Sequence, residues 1–317
     1  MAPGPARRHD RRRARGGAPG CAARADEAAV TERRIAFITG ASRGIGAAAA
    51  RKLAERGFDV VLTARTLAAG EQHDHGNRVG APDLRPLPGS LEETADAVRA
   101  LGRDALPLRL DLLDAASLAA AVDETEKRWG PIEVLLNNGI VQTAGVMDLV
   151  RDLTAENVER IYRGNVLAPL WLVQRVLPGM LARGRGAIVN MVSESGFTDP
   201  PAPAGEGGWG FAYSSSKAAI ARLVGVLAAE HRGAGVRFFN VEPGFIVTEM
   251  VKATGLLEQF GPQWRGAPPE VPAAVIAWLI CEDAAREWHG KTVSAQKLCK
   301  QLGLVPGWPP RKGDGVD

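Results

Sequence analysis

Cysteine is scarce in this chain of 317 residues. Cys21, Cys281 and Cys299 are too few and too scattered for a disulfide framework or a four-ligand zinc site. This usage fits a reducing cytoplasm. No stretch approaches the ~18 consecutive apolar residues that a membrane helix requires, and neither glycine nor proline recurs at a fixed period. Membrane-spanning helices, collagen-like fibres and repeat solenoids are therefore excluded. What remains is an ordinary globular composition, 45% apolar and 24% charged, at a length that suits one large α/β domain or two small ones.

Residues 1–29 lack Ile, Leu, Val, Phe and Trp altogether and carry seven arginines against three acids. Their net charge is +4, which leaves the other 288 residues at −1. A segment with no large apolar side chain has nothing to offset the entropy of ordering, so it reads as a disordered tail. The arginines are not followed by an apolar stretch, as a secretory signal requires. An arginine cluster can bind nucleic acid, but no aromatic or folded element accompanies this one, and a solvated tail with no nucleic-acid partner is the expectation. Val30-Thr31-Glu32-Arg33-Arg34-Ile35 would also serve as a start if Val30 were encoded by GTG, making the tail an over-extended reading frame. The expected division is thus a tail over 1–29 and one domain over 30–317.

After the tail the chain alternates strand and helix. Apolar runs at Ile35 to Thr39 and Phe58 to Thr63 flank helical spacing over Arg43 to Arg56, a βαβ unit. The pattern continues with a helix over Ser90 to Leu101, a strand at Leu106 to Leu110, a helix over Ala115 to Trp129 and a strand at Ile132 to Leu136. A long helix including Asn165 to Leu181, strands at Ala187 to Val192 and Val236 to Val241, and helices over Tyr213 to His231 and Pro272 to Cys281 follow. Strands separated by helices predict an α/β fold: one doubly wound, parallel sheet with helices on both faces. Two Pro- and Gly-rich stretches, Thr66 to Gly89 and Thr198 to Gly210, interrupt the rhythm and read as loops laid onto a complete fold. His73-Asp74-His75 in the first has the residue types of a metal site but no third ligand nearby, so no metal is expected.

Thr39-Gly40-Ala41-Ser42-Arg43-Gly44-Ile45-Gly46 follows the first strand and opens the first helix. Glycines at 40, 44 and 46 permit a tight turn, clear side chains where backbone must approach a pyrophosphate, and let the helix pack close. The helix N-terminus then aims free N–H groups at phosphate. Far downstream, Tyr213 and Lys217 are four apart at the start of a predicted helix, on one face and within reach of each other. A fixed ammonium beside a phenol stabilises the phenolate and draws its pKa, about 10 when free, toward the working range. Ser193 stands at the carboxyl end of an apolar strand, where α/β sheets hold their ligand crevice; Ser195, two residues on, is its rival.

In this order the motifs resemble those of the short-chain dehydrogenase/reductase family, from about Ile35 to Ser294. They are TGASRGIG at 39–46, Asp111-Leu112 after the third strand, Asn137-Asn138 after the fourth, Asn165 in the long helix, Ser193, Tyr213 with Lys217, and Pro243-Gly244 followed by Thr248. The resemblance implies a Rossmann-type sheet, a nicotinamide cofactor, and catalysis by Tyr213, Lys217, Ser193 and Asn165, the last placing a water in a proton relay to Lys217. It also implies that Gly40, Ser42, Arg43, Gly44, Ile45, Gly46 and Asn138 line the cofactor site, that Tyr213 and Lys217 border it, that Asp111 and Leu112 flank the adenine, and that Pro243, Gly244 and Thr248 sit near the nicotinamide. Ser193 fits the family's Ser-x-x-Gly pattern better than Ser195 does.

Cofactor choice follows from charge. A carboxylate at the end of the second strand would grip a ribose 2′-hydroxyl and repel a 2′-phosphate. Here the strand ends in Arg65, with Arg43 in the glycine turn, and two guanidiniums suit a phosphate dianion, so NADP(H) is favoured over NAD(H). Three features depart from the family. Asn137-Asn138-Gly139-Ile140 replaces Asn-Asn-Ala-Gly. The 20 positions from Ser193 to Tyr213 exceed the usual spacing, the excess carrying Trp209 and Phe211. Gly290 to Gln296 lacks the terminal Asp-Gly-Gly.

The expected function is NADP(H)-dependent interconversion of a carbonyl and a secondary alcohol on a small, apolar substrate. The alternative is a cofactor-binding scaffold or sensor of the same fold. Surplus apolar residues on the two helices around Leu167, Leu170, Trp171, Leu223, Val224 and Leu227, which the resemblance implies pair across a two-fold axis, predict a homodimer or homotetramer. The Arg-rich tail lies outside that surface. A chain starting at Val30 is expected to keep the oligomeric state and activity of the full chain; light scattering that found monomers, or an inactive shortened chain, would give the tail a structural role.

Overall fold

Phe37, Phe58, Phe238 and Phe239 are wholly buried, and they sit on or beside strands whose side chains alternate between two cores. The computed structural model describes residues 33–253 and 266–310; the tail expected over 1–29 lies outside them. Seven strands form one sheet: β1 Ile35–Thr39, β2 Asp59–Ala64, β3 Ala105–Arg109, β4 Val134–Asn137, β5 Gly186–Met191, β6 Val236–Glu242 and β7 Thr292–Ser294. Their order is β3-β2-β1-β4-β5-β6-β7, with every neighbouring pair parallel. The chain thus reverses its winding between β1 and β4, and a crevice opens at their carboxyl ends.

The helices among the described residues are α1 Gly44–Glu55, α2 Leu91–Ala100, α3 Ala115–Arg128, α4 Ala155–Tyr162, α5 Ala168–Arg183, α6 Phe211–Glu230, α7 Glu249–Ala253, α8 Glu270–Cys281 and α9 Ala295–Leu302. Ser90 caps α2 through the Glu93 amide, Asp114 caps α3 through that of Ala116, and Thr154 with Asn157 forms a capping box on α4. The helix expected through Asn165 is present but not uniform: a π turn over Arg163–Leu167 joins α4 to α5. Periodicity misses one extra residue in a turn.

Ala36, Ile38, Val60, Leu62, Val189 and Phe239 point to one face, against α1, α2 and α8; Ile35, Phe37, Val61, Ile188 and Phe238 point to the other, against α3, α5 and α6. Burying each large side chain stabilises by roughly 1.5–3 kcal/mol, so both faces are committed. Near the carboxyl edge this apolar alternation gives way to a polar row. Asn137, Asn190, Asn240 and Thr292 stand in register across β4 to β7. Asn137 Nδ2 donates to Asn190 Oδ1 at 2.9 Å, and Asn240 Nδ2 donates to Thr292 Oγ1 at 3.2 Å and to the Ala221 carbonyl of α6 at 2.7 Å. The row ties β4 to β5, and β6 to β7 and α6, directly beneath the crevice.

The last strand forms without Asp-Gly-Gly. Gln296, just after it, donates from Nε2 to the carbonyls of Pro243 and Phe245, both at 3.2 Å, and so ties β7 to the turn that follows β6.

Candidate active site

The turn from β1 to α1 is shaped by what its glycines leave out. Gly40 and Gly44 have φ of 67° and 56°, and a Cβ on Gly46 would stand 2.2 Å from the Gly40 carbonyl oxygen. Arg43 precedes α1 without capping it through its side chain, so the first-turn amides are available to an anion. One of them, Gly44 N–H, donates to Glu249 Oε2 at 2.9 Å. Across the turn, Thr39 Oγ1 accepts from the amides of Asn138 and Gly139 at 3.0 and 2.9 Å, and Asn138 Nδ2 donates to the carbonyls of Thr39 and Gly40. The altered Asn-Asn-Gly-Ile sequence therefore still clamps the glycine turn. Gly139 supplies the close approach: a Cβ on Gly40 would lie 2.8 Å from its Cα.

These residues wall a cleft of about 340 Å³ lined by Gly40, Ser42, Arg43, Gly44, Ile45, Arg65, Asp111, Leu112, Asn138 and Thr248. Gly46, Pro243 and Gly244 are outside its lining: Gly46 serves close packing, and the Pro243-Gly244 turn is held by Gln296 and by Glu242, which accepts from the Gly244 amide at 2.6 Å. Arg43 and Arg65 do come together at the cleft. Burial lowers the pKa of Arg43, and the charge of Arg65 acts in the same direction. The Arg43 guanidinium is anchored, donating to the carbonyls of Pro88 and Gly89 at 2.8 and 2.9 Å. A helix N-terminus with only its Gly44 amide engaged by a side chain, bare glycine backbone and two guanidiniums at the sheet's winding reversal fit the pyrophosphate and adenosine half of a dinucleotide.

The four expected catalytic residues lie outside that lining: Ser193 just after β5, Asn165 in the π turn before α5, and Tyr213 and Lys217 in the first turns of α6. Tyr213 and Lys217 share one face of α6, with Lys217 Nζ 5.9 Å from the Tyr213 ring centroid. Lys217 is 5% exposed and donates to the Met191 carbonyl at the end of β5 at 2.9 Å. Desolvation brings its pKa down to about 8. Burial raises the Tyr213 phenol, against a hydrogen bond with Ser193, while the nearby Glu242 carboxylate pushes it further up. Glu242 is itself raised by burial and by Glu194.

Ser195, which sequence alone sets as the rival of Ser193, is its support. The Ser195 amide and hydroxyl both donate to Ser193 Oγ, at 3.3 and 3.0 Å, which leaves the one Ser193 proton free to be donated. Asn165 sits in the π turn with both side-chain groups engaged. Its Oδ1 accepts from the Val141 amide at 2.8 Å and its Nδ2 donates to Ser216 Oγ at 3.3 Å, tying the segment after β4 to α6. Ser216 in turn donates to the Tyr213 carbonyl at 2.7 Å. Among the described residues no group of three His, Cys, Asp or Glu is placed to hold a metal ion. His73 Nε2 and His75 Nε2 lie instead by separate carboxylates, 3.4 Å from Glu71 and 3.3 Å from Asp83.

The family model of short-chain dehydrogenases matches residues 34–75 and 76–258. The chain belongs to the short-chain dehydrogenase/reductase family. It is 30% identical over 245 residues to the 2-(R)-hydroxypropyl-CoM dehydrogenase of Xanthobacter autotrophicus, covering 77% of this chain and 82% of that protein. A metagenomic short-chain oxidoreductase solved in complex with NADP superposes with a TM-score of 0.61 at 27% identity, over 82% of this chain and 96% of the other. The carveol dehydrogenase of Mycobacterium avium, solved with NAD, shares the fold at a TM-score of 0.67 and 22% identity, over 83% and 96%. The protein is thus an NAD(P)-dependent oxidoreductase of this family.

The Lys217 ammonium is held where water cannot reach it. Its folded pKa near 8 lies below the ordinary 10.5, so between these values the unfolded chain binds the extra proton and stability rises with pH. Lys217→Met is therefore expected to unfold at a higher temperature than the parent at pH 7, by up to about 3 kcal/mol. The gain should shrink from pH 8 upward and vanish near 10.5. Thermal melts across this range check it, and a variant destabilised at pH 7 would show that the bond to Met191 outweighs desolvation.

Proposed function

We propose that the protein is an NADP(H)-dependent reductase that interconverts a carbonyl and a secondary alcohol on a small apolar substrate, working in the reducing direction. The observation that carries this reading is the Tyr213 phenol set beside Ser193 with the Lys217 ammonium buried on the same helix face. Bound in the cleft, the nicotinamide cofactor supplies hydride at its C4. Ser193, its own lone pairs engaged by Ser195, donates to the substrate oxygen. Tyr213 donates a second hydrogen bond to that oxygen and gives up its proton as negative charge develops there. Lys217 stabilises the phenolate left behind. Asn165 holds the π turn against α6 through its side chain and places a water in the relay to Lys217.

Preference for NADP(H) is supported by Arg43 and Arg65 converging on the cleft and by the absence of an acid at the end of β2. No bond among the described residues engages the Arg65 guanidinium, which leaves it for a 2′-phosphate. Val224 and Leu227 belong to the core, so the surface proposed to join subunits narrows to Leu167, Leu170, Trp171, Leu223 and the exposed Val226. Unpaired Cys281 and Cys299 are consistent with a reducing cytoplasm. The scaffold alternative rests on the altered Asn-Asn-Gly-Ile turn, and the clamp that this turn keeps on Thr39 and Gly40 supports the enzyme reading over it.

Tyr213→Phe is expected to lower turnover by about 10³-fold with NADPH binding retained, measured by NADPH absorbance over a panel of ketones and by fluorescence titration. Near-normal turnover would refute the mechanism. Arg65→Ala is expected to weaken NADPH by about tenfold while leaving NADH nearly unchanged. Equal losses for both cofactors, in parallel titrations, would show that Arg65 does not read the phosphate.

A further inference from the structure

The 24 residues between Thr66 and Gly89 contain neither helix nor strand, and connections of that length inside a compact fold are uncommon unless they serve as lids or binding loops. This one is fastened at four separate places. Near β3, Glu71 accepts from the amides of Leu67 and Ala68 and forms a two-point ion pair with Arg109, both contacts at 2.8 Å, and the Arg109 guanidinium holds its carboxyl at about 2. On the far side of the cleft, beyond β4, the Asn77 carbonyl accepts from the Met147 amide at 3.0 Å and the Val79 amide donates to Asp148 Oδ2 at 3.0 Å. Arg78 there fills the space that Gly205, in the second inserted loop, leaves empty: a Cβ on that glycine would lie 1.6 Å from Nη2.

The segment then turns back. Asp74 Oδ1 accepts from the amides of Gly76 and Asp83, and the His75 amide donates to the Asp83 carbonyl at 3.0 Å, so the outgoing and returning limbs are joined. Arg85 reaches the Ala253 carbonyl of α7 at 3.4 Å, and Arg43 of the glycine turn takes the carbonyls of Pro88 and Gly89. Glu71, His73, Asp74, His75, Arg85 and Leu87 face inward as part of the cleft lining, opposite Asp111, Leu112 and Asn138. His75 is 8% exposed, with its Nε2 3.3 Å from Asp83 Oδ2 on the returning limb.

From these contacts we infer that residues 71–88 form a strap across the dinucleotide cleft, roofing the bound cofactor, and that cofactor leaves only after the Asn77–Val79 tip comes off Met147 and Asp148. The inference rests on the cofactor occupying the cleft as proposed above. The root at Glu71 and Arg109 is a charged, two-point contact, whereas the tip is held by main-chain hydrogen bonds and by one carboxylate. Opening therefore begins at the tip and hinges at the root. The tip also rests on the loop that carries Gly205, so the strap closes toward the substrate side.

The test uses the full chain loaded with NADPH and chased with excess NADP⁺, following NADPH fluorescence in a stopped-flow instrument. Asp148→Ala, which removes the acceptor of the Val79 amide, and Arg78→Ala, which loosens the tip without touching Asp148, are each expected to release NADPH at least tenfold faster than the parent. Association should change much less. As a second measurement, trypsin is expected to cut after Arg78 readily in the free protein and several-fold more slowly once NADPH is bound. Unchanged release in both variants, or cutting at Arg78 indifferent to NADPH, would overturn the strap. A parent chain that binds no dinucleotide would instead remove the functional reading on which it rests.

Discussion

Everything in the cleft depends on how closely two pieces of backbone approach each other at the winding reversal of the sheet. Gly46 packs where any Cβ would strike the Gly40 carbonyl, and Gly40 packs where a Cβ would strike Gly139. Thr39 completes the contact, its single hydroxyl accepting the amides of Asn138 and Gly139 and donating to the Leu136 carbonyl. Because β1 and β4 are hydrogen-bonded neighbours, this knot fixes the glycine turn relative to the strand that leads to Val141 and hence to Asn165. From Asn165 the connection runs through Ser216 to the Tyr213 backbone. The cofactor half and the catalytic half of the site are thus joined through main chain and hydrogen bonds of 2.7 to 3.3 Å.

The layered architecture was legible in the sequence because parallel strands buried on both faces leave runs such as Ile35 to Thr39 and Ala187 to Val192 that have no other reading. Helix ends were legible to within a few residues where a cap stands in the sequence, as at Ser90 and Asp114. The π turn at Asn165 was not, since one additional residue in a turn barely disturbs a 3.6-residue period. Nor was β7: three residues, of which only Val293 is fully buried, give too short a pattern to register.

The site residues were legible by type and order, but their partners were not. Sequence sets Ser193 and Ser195 as competitors, whereas in space one positions the other. Sequence offers Arg43 as a free cation, whereas its guanidinium fastens the 66–89 segment while still facing the cleft. Nothing in the local pattern around Glu249 announces that its carboxylate reaches Gly44, 205 residues away in sequence. The two insertions were visible as interruptions, but that the first spans the cleft and meets the second depends on Asn77, Arg78 and Asp148, whose pairing has no local signature.

The polar row under the crevice explains how the fold tolerates Lys217. A buried ammonium costs stability unless its donors find acceptors, and strand ends are where carbonyls fall out of the ladder and become available. Met191, the last residue of β5, supplies one at 2.9 Å. Its position is set by the backbone register of β5 between β4 and β6, to which the Asn137–Asn190 bond adds on the β4 side. Val or Ile at these positions would add apolar burial but remove the Asn137–Asn190 bond and the tie from Asn240 to α6. The asparagines exchange some core stability for a fixed acceptor. That exchange fits a lysine whose pKa burial lowers to about 8, which leaves it charged near neutral pH.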